Sequence, residues 1–172
     1  MPCRAFNQRG GVQGGCSARL VERQSLQSSS NGQGGWTPYP LTKVRLEKCS
    51  FFGPYRGCDF GHFTDDERPH GDVKECDFDD AVLADCRFIG CDLEGTRLPP
   101  WPCFTLLDPV ARLRELLAQP WPGDAAEVVQ ALRWSPASTA GVAFDAKSLA
   151  AEYSVEVDGL RRLLEQVPNV AM

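Results

Sequence analysis

Two cysteines and two histidines lie close together near the middle of the sequence, at Cys58, His62, His70 and Cys76. Thiolate and imidazole are the ligands that zinc prefers, so these side chains could hold a tetrahedral metal site. The spacings do not favour one, because the stretch has no C-x-x-C pair and matches no common zinc finger. We therefore expect no metal and no cofactor, and keep zinc as the alternative.

The cysteines follow a five-residue period instead, in units that begin at Cys76, Ala81, Cys86, Cys91 and Thr96. Each unit has a small residue first and a large apolar residue two places later. A helix would repeat every 3.6 residues and a strand every two. Because cysteine is readily buried as a small apolar residue, we interpret these cysteines as core fillers and not as ligands or bridges.

The predicted core has large centres and small positions. The centres are Leu46, Phe51, Phe60, Val73, Phe78, Leu83, Phe88, Leu93 and Leu98. The small positions are Cys49, Cys58, Cys76, Ala81, Cys86 and Cys91. A unit of this kind turns a corner and cannot bury its own centre, so the units before and after it along the stack must cover it.

The units Cys76-Asp77-Phe78, Cys86-Arg87-Phe88 and Cys91-Asp92-Leu93 resemble those of the pentapeptide-repeat proteins, which carry A-[D/N]-L-x-x in tandem. The resemblance spans about residues 44–100 and implies a short right-handed quadrilateral β-helix. Two breaks are expected, a unit one residue short at Pro54 and an outward loop over residues 63–70. Both ends of so short a stack need caps.

The fold class predicted is a β-solenoid followed by a small all-α region. Residues 1–40 are expected to be disordered because they are rich in Gly, Ser and Gln, with a short helix over residues 18–26 as the alternative. Residues 42–104 form the predicted β-helix and residues 105–172 the helical region. Trp36 and Tyr39 are expected to cap the N-terminal side of the stack, and residues 99–102 with the helix at Asp108 the C-terminal side.

The C-terminal third carries several helix signals. Asp108 precedes a proline as a predicted N-cap, Asp124 opens a sequence that resembles a capping box, and Asp145 is a third predicted cap. The last helix is predicted from Glu156 to Gln166.

Residues 148–164 also resemble a helix-turn-helix, with Ser154 where the turn more usually has glycine. The resemblance implies that Arg161 and Arg162 could contact nucleic acid. Glu156 and Asp158 oppose this, because they lie near the start of the second helix, where base contacts are made. We therefore expect a structural packing unit, with DNA binding as the alternative.

The remaining clues concern charge, since residues 42–104 carry eight basic and thirteen acidic side chains. An acidic region argues against simple phosphate binding. The outward acidic residues predicted as a protein-binding face are Asp77, Asp79, Asp80, Asp85, Asp92 and Glu94. The family resemblance adds a further alternative, since some pentapeptide-repeat proteins mimic DNA and bind type II topoisomerases.

The function expected from the sequence is that of a non-catalytic interaction or scaffold protein with an unidentified protein partner. His62, His70 and Tyr55 with scattered carboxylates are the available reactive groups, and they form no catalytic motif. The chain lacks an apolar run long enough to span a membrane and a stretch typical of a signal peptide, which favours a cytoplasmic location.

Overall fold

The computed structural model describes residues 11–13, 17–20, 40–41, 44–62 and 71–172. The strands are β1 (Gly11–Gln13), β2 (Ser17–Leu20), β3 (Pro40–Leu41), β4 (Val44–Glu47), β5 (Ser50–Arg56), β6 (Asp59–Gly61), β7 (Asp72–Lys74), β8 (Asp77–Ala84), β9 (Cys86–Ile89), β10 (Cys103–Leu107), β11 (Thr139–Asp145) and β12 (Val170–Ala171). The helices are α1 (Leu113–Leu117), α2 (Ala126–Ala131), α3 (Ala146–Glu152) and α4 (Val157–Leu164), with short 3-10 turns at Gly123–Ala125 and Leu132–Trp134. In these ranges, no helix combines the length and the apolar character that crossing a bilayer requires.

The repeat region is built from stacked coils. We call residues 44–62 the first coil and residues 71–90 the second, because the strands of one pair in parallel with those of the other: β4 with β7, β5 with β8 and β6 with β9. A parallel bridge between Asp77 and Arg97 begins a third coil. The stacking is that of a solenoid, but the described strands form three mixed sheets and not four closed sides.

The register of β5 and β8 corrects the position of the short unit. Gly53 lies opposite Ala81 and Tyr55 opposite Leu83, so Gly53 occupies a small position and Tyr55 a centre. The register shifts between Ser50 and Phe52, which places the missing residue in residues 49–52 and not in residues 54–57. The sequence was misleading here because Gly53 fits equally well as the last residue of one unit or the first of the next.

The centres of the two coils pack into one core. Its buried members are Leu46, Cys49, Phe51, Tyr55, Cys58, Phe60, Val73, Cys76, Phe78, Ala81, Leu83, Cys86, Phe88 and Ala143. Phe51 stacks on Phe78 with 4.3 Å between ring centroids, and Phe60 stacks on Phe88 at 5.2 Å. Phe60 also meets Phe78 edge to face at 5.4 Å, an arrangement that the quadrupoles of two rings favour.

The predicted core is less complete towards the third coil. Leu93, Leu98 and Cys91 are only half-buried, although they pack against the same core. The following coil that would cover them is missing, because the chain leaves the five-residue period after Leu98.

The cysteines of the core differ in one respect from the interpretation given above. Cys58, Cys76 and Cys86 are buried thiols. Cys49 is buried too, but it is disulfide-bonded, with a partner outside the described residues. The prediction that these cysteines are not bridges is therefore wrong for Cys49.

The C-terminal region contains the expected helices, but it is not all-α. Its strands β10, β11 and β12 form an antiparallel sheet, which the sequence had not indicated. The helices pack on one side of that sheet around a second core, which includes Phe104, Leu116, Leu149 and Leu160.

Strand β11 joins the two cores. It pairs antiparallel with β9 of the second coil on one side and with β10 on the other. Side chains of a strand alternate between its two faces. Ala143 accordingly packs into the repeat core, while Val142 and Phe144 pack into the helical core. Gly141 permits the close approach, because a Cβ there would lie 3.1 Å from both Leu93 Cδ1 and Thr105 Cγ2.

Two helix starts differ from the predictions. Helix α1 begins at Leu113, four residues after the start expected from Asp108, which instead has a left-handed φ of 48°. The segment at Asp124 forms a 3-10 turn before α2, and neither element has a side-chain cap.

The predicted cap at Asp145 is confirmed, because its carboxylate accepts hydrogen bonds from the Ser148 amide at 3.0 Å and from the Ser148 hydroxyl at 2.6 Å. Helix α4 spans most of the range predicted for the last helix, between Glu156 as its N-cap and Glu165 as its C-cap.

Part of the N-terminal segment lies against the first coil. Strand β1 pairs antiparallel with β5, β2 pairs antiparallel with β4, and β3 pairs in parallel with β6. For residues 17–20, the structure shows a strand and not the start of the alternative helix. Trp36, Tyr39 and the predicted loop over residues 63–70 lie outside the described residues, and the disorder expected of residues 1–40 as a whole stays a prediction.

Truncation of a core side chain should lower the stability of the protein more at a fully buried position than at a half-buried one. Phe60→Ala should lower the free energy of unfolding by about 3–5 kcal/mol, because a fully buried ring leaves a cavity. Leu93→Ala, at a half-buried centre, should cost clearly less. Urea denaturation followed by circular dichroism measures both values, and equal losses would contradict the packing described here.

The turn between α3 and α4 predicts a stabilising substitution. Ser154 has a φ of 51°, which is strained for a residue with a side chain. Ser154→Gly should therefore raise the free energy of unfolding by about 0.5–1 kcal/mol. The matched control is Ser135→Gly, at a φ of −73°, where glycine gains nothing and should lower stability. A loss in both variants would speak against strain at Ser154.

Candidate functional site

A cleft with a volume of about 530 Å³ lies between the second coil and the helices of the C-terminal region. Strands β6, β9 and β11 supply Asp59, Arg87 and Val142 to its lining. The corner of the coil supplies Asp85, and the helices supply residues on the opposite side, among them Tyr153. The cleft exists because β11 holds the helical region against the outer side of the β6–β9 pair.

An ion pair lies on the coil side of this cleft. Asp59 and Arg87 are opposite each other in the parallel register of β6 and β9. Arg87 donates from Nε to Asp59 Oδ1 at 2.7 Å and from Nη2 to Oδ2 at 2.8 Å. These bonds to Asp59 are the main reason why the pKa of Arg87 is raised. A bidentate pair of this kind fixes both side chains, so it forms a rigid part of the lining.

A second, weaker pair crosses the mouth of the cleft. Arg56 Nη2 lies 3.5 Å from Glu152 Oε2, and both side chains are more than half exposed. An exposed pair of this length contributes little to stability. It links the first coil to α3 without closing the cleft.

Trp134 lies at the edge of the cleft and is 77% exposed. Arg133 places its guanidinium carbon 5.1 Å from the centre of the Trp134 ring. Tryptophan is usually well buried, and an exposed ring beside a cleft is typical of a contact site. Neither the five-residue period nor the helix signals of the sequence single out Trp134.

Asp85 occupies the corner between β8 and β9. Its φ of 55° is left-handed, a conformation that aspartate adopts more readily than most residues. Within the described residues, its carboxylate has no hydrogen bond or ion pair. Although Asp85 is exposed at this corner, the surrounding protein partly removes water from its carboxylate and thereby raises the pKa of Asp85, while Arg87 opposes the shift.

The acidic residues predicted as a binding face differ in their surroundings, and the face itself stays a prediction. Asp77 and Asp79 both pair with Arg97 of the next coil, Asp79 at 3.4 Å. Asp92 accepts a hydrogen bond from the amide of Glu94 at 2.9 Å in a turn beyond β9.

The other two members lie apart from these. Asp80 is exposed on β8 and is not among the residues that line the cleft. Asp85 alone of the six lines it.

The reactive side chains considered from the sequence are poorly placed for chemistry. Tyr55 is buried in the core, which raises its pKa to about 12. Contact with Cys58 and burial raise the pKa of Cys86 well above its usual value. Burial likewise raises the pKa of Cys91 to about 12. Thiols with raised pKa values are poor nucleophiles at neutral pH.

The zinc alternative gains no support from geometry. His62 Nδ1 lies 3.1 Å from the carbonyl oxygen of Gly71, and His70 is outside the described residues. Among the residues that the structure does describe, no cluster of His, Cys, Asp or Glu could hold a metal ion.

The basic residues of α4 already have partners. Arg161 Nε donates to Glu165 Oε1 at 3.1 Å, and its guanidinium lies over the Trp101 ring at 5.4 Å. Arg162 Nε donates to the carbonyl oxygen of Asp158 at 3.2 Å. Helices α3 and α4 pack together across a tight turn, while the helix-turn-helix resemblance itself stays a prediction.

The sequence comparisons agree with the five-residue period. Residues 70–98 match the family model of pentapeptide repeats, a model that spans eight copies. This stretch is therefore a pentapeptide-repeat segment, and repeats of this kind are generally structural modules. Comparison of the chain with curated proteins and with solved structures gives no significant match.

Asp85 predicts a pH effect on stability. Because its pKa is raised in the folded protein, the native state binds the proton more tightly than the unfolded state, and ionisation of Asp85 opposes folding. Asp85→Asn should therefore be more stable than the parent protein at pH 7. The difference should disappear below about pH 4, where the aspartate is protonated in both states.

Thermal unfolding at a series of pH values measures this difference. Asp92→Asn is the matched control, since it removes a carboxylate from the same repeat region away from the cleft. The explanation fails if Asp85→Asn is not stabilised at pH 7, or if Asp92→Asn shows the same profile.

Proposed function

We propose that this protein is a non-catalytic protein–protein interaction module, in which a short right-handed four-sided β-helix carries a helical unit and the cleft between them binds a protein partner. The observation that supports this proposal best is the exposed Trp134 at the edge of the cleft. Tryptophan is among the residues that contribute most to binding when a partner covers them.

The cleft has the mixed lining that binding sites usually have. Val128 supplies half-buried apolar surface, and Ser148 supplies a polar group near the start of α3. Its volume of about 530 Å³ falls in the range of about 300–1,000 Å³ that is usual for binding pockets. A few side chains of a partner would fill such a space, with Trp134 and the coil corner as flanking contact surface.

The acidic residues outside the cleft support the proposal less. Asp77 and Asp79 share Arg97, which reduces the negative charge that they present. A partner that bound only these acidic residues would contact some carboxylates that Arg97 already neutralises. We therefore assign the main contact to the cleft and a supporting role to the exposed Asp80, Asp92 and Glu94.

Catalysis has little physical support in the described residues. The thiols of Cys86 and Cys91 have raised pKa values, and Tyr55 is buried in the core. General acid–base chemistry at neutral pH needs a group whose pKa lies near 7 and that can reach a substrate.

Nucleic-acid binding is likewise less well supported than protein binding. Arg161 and Arg162 are engaged within α4 or with Trp101, and Asp158 lies in the first turn of that helix. Mimicry of DNA would need a long regular array of carboxylates, and the described residues of the repeat region form two full coils with partly paired acids.

A cytoplasmic location belongs to the same proposal. Five cysteines of the described residues carry thiols, which suits a reducing compartment. The disulfide at Cys49 favours an oxidising one. The location predicted from the sequence therefore stays a prediction.

Trp134 provides the direct test. The full chain carrying Trp134→Ala should lose the partner captured by the parent protein from an extract of its source cells, since truncation of a tryptophan that a partner covers typically costs about 2 kcal/mol or more of binding energy, about thirtyfold in affinity. Cross-linking before quantitative mass spectrometry identifies and counts the captured proteins.

The matched control is Leu117→Ala, which truncates another exposed apolar side chain of the helical region, 43% exposed and outside the cleft. It should leave capture unchanged. An identical set of captured proteins for the parent and both variants would remove the cleft from consideration.

A further inference from the structure

The charge of the cleft is unbalanced. Its lining includes the carboxylates of Asp59, Asp85, Asp145 and Glu152 and the guanidinium groups of Arg56 and Arg87. Asp59 is neutralised by Arg87, Glu152 faces Arg56, and Asp145 caps α3 through Ser148. Among the described residues, Asp85 remains as the carboxylate of the lining that has no hydrogen-bonded or ion-paired partner.

Negative charges also act on Tyr153, which lines the helical side of the cleft. Partial removal from water and the negative charges of Glu152, Glu127 and Asp85 all raise the pKa of Tyr153. Two of these carboxylates, Glu152 and Asp85, line the cleft together with Tyr153. A positive group placed there would be stabilised.

The aromatic rings of the cleft suit the same type of ligand. Trp134 and Tyr153 both line it, and Trp134 is widely exposed. The faces of such rings attract ammonium and guanidinium groups. Arg133 already makes this contact with the Trp134 ring.

The geometry points to a specific ligand chemistry, which rests on the proposed function of the cleft. We propose that the cleft receives a lysine or arginine side chain of the protein partner, with Asp85 as its counter-ion and with Tyr153 and Trp134 as its aromatic walls. The cationic head of the partner would also approach Glu152, which Arg56 holds only weakly at 3.5 Å.

The test uses the full chain labelled with ¹⁵N and the tripeptide acetyl-Gly-Arg-Gly-amide as the probe. The indole N–H signal of Trp134, assigned with Trp134→Phe, should shift on titration. The same peptide with citrulline in place of arginine keeps the size and hydrogen-bonding shape but lacks the charge. It should bind about threefold to fivefold more weakly, the range expected for a partly exposed charge pair.

Asp85→Asn should weaken binding of the arginine peptide by a similar factor, and asparagine tolerates the left-handed φ at this corner. Asp92→Asn is the matched control and should bind like the parent protein. The inference is overturned if the arginine and citrulline peptides shift the Trp134 signal equally, if neither peptide shifts it, or if the two Asn variants bind the arginine peptide alike.

The two proposals can fail separately. If partner capture depends on Trp134 but the peptide titration shows no preference for charge, the cleft binds a partner through other contacts and only the cationic ligand is wrong. If the arginine peptide binds as expected while capture ignores Trp134, the cleft recognises cations and its role in partner binding is wrong.

Discussion

The structure depends on how the open edges of a very short stack of coils are paired. Each coil presents a row of backbone N–H and C=O groups to the next, and an unpaired row is costly to bury and prone to aggregation. Long solenoids share this cost over many coils, whereas the part of this chain that the structure describes has two full coils before the period ends. At one edge, β11 pairs with β9 and satisfies its backbone groups. At the other edge, short strands from the N-terminal segment pair with the first coil.

Pairing with β11 also explains why the C-terminal region cannot be an independent helical bundle. Ala143 completes the repeat core while its neighbours Val142 and Phe144 enter the helical core, so one strand is buried on both faces. The small side chains around Gly141 allow this strand to approach Leu93 and Thr105 closely. Because the helices dock on the outer side of the same sheet, the cleft is a direct product of capping the coil.

The sequence predicted the parts of the fold that repeat locally. Phe78, Leu83 and Phe88 recur at a fixed interval, and each position is buried. It placed the short unit wrongly because Gly53 carries no side chain to mark the phase of the repeat. Strand β11 was missed because its extended form depends on pairing with β9, a segment about fifty residues earlier in the chain.

The candidate site could not be predicted from the sequence either, because it also depends on contacts between segments that are distant in the chain. Asp85 and Tyr153 are far apart in the chain, and only the docking of α3 beside the coil corner brings them to one cleft. By the five-residue period alone, Asp85 is one of several equivalent outward acids. In the structure its surroundings differ from those of the others. Asp77 and Asp79 meet an arginine one coil further on, whereas Asp85 lines the cleft together with Glu152 and Tyr153 of the helical region. The five-residue period ends at Leu98, before it would supply a unit beside Asp85, so among the described residues this carboxylate of the cleft lining has no hydrogen-bonded or ion-paired partner.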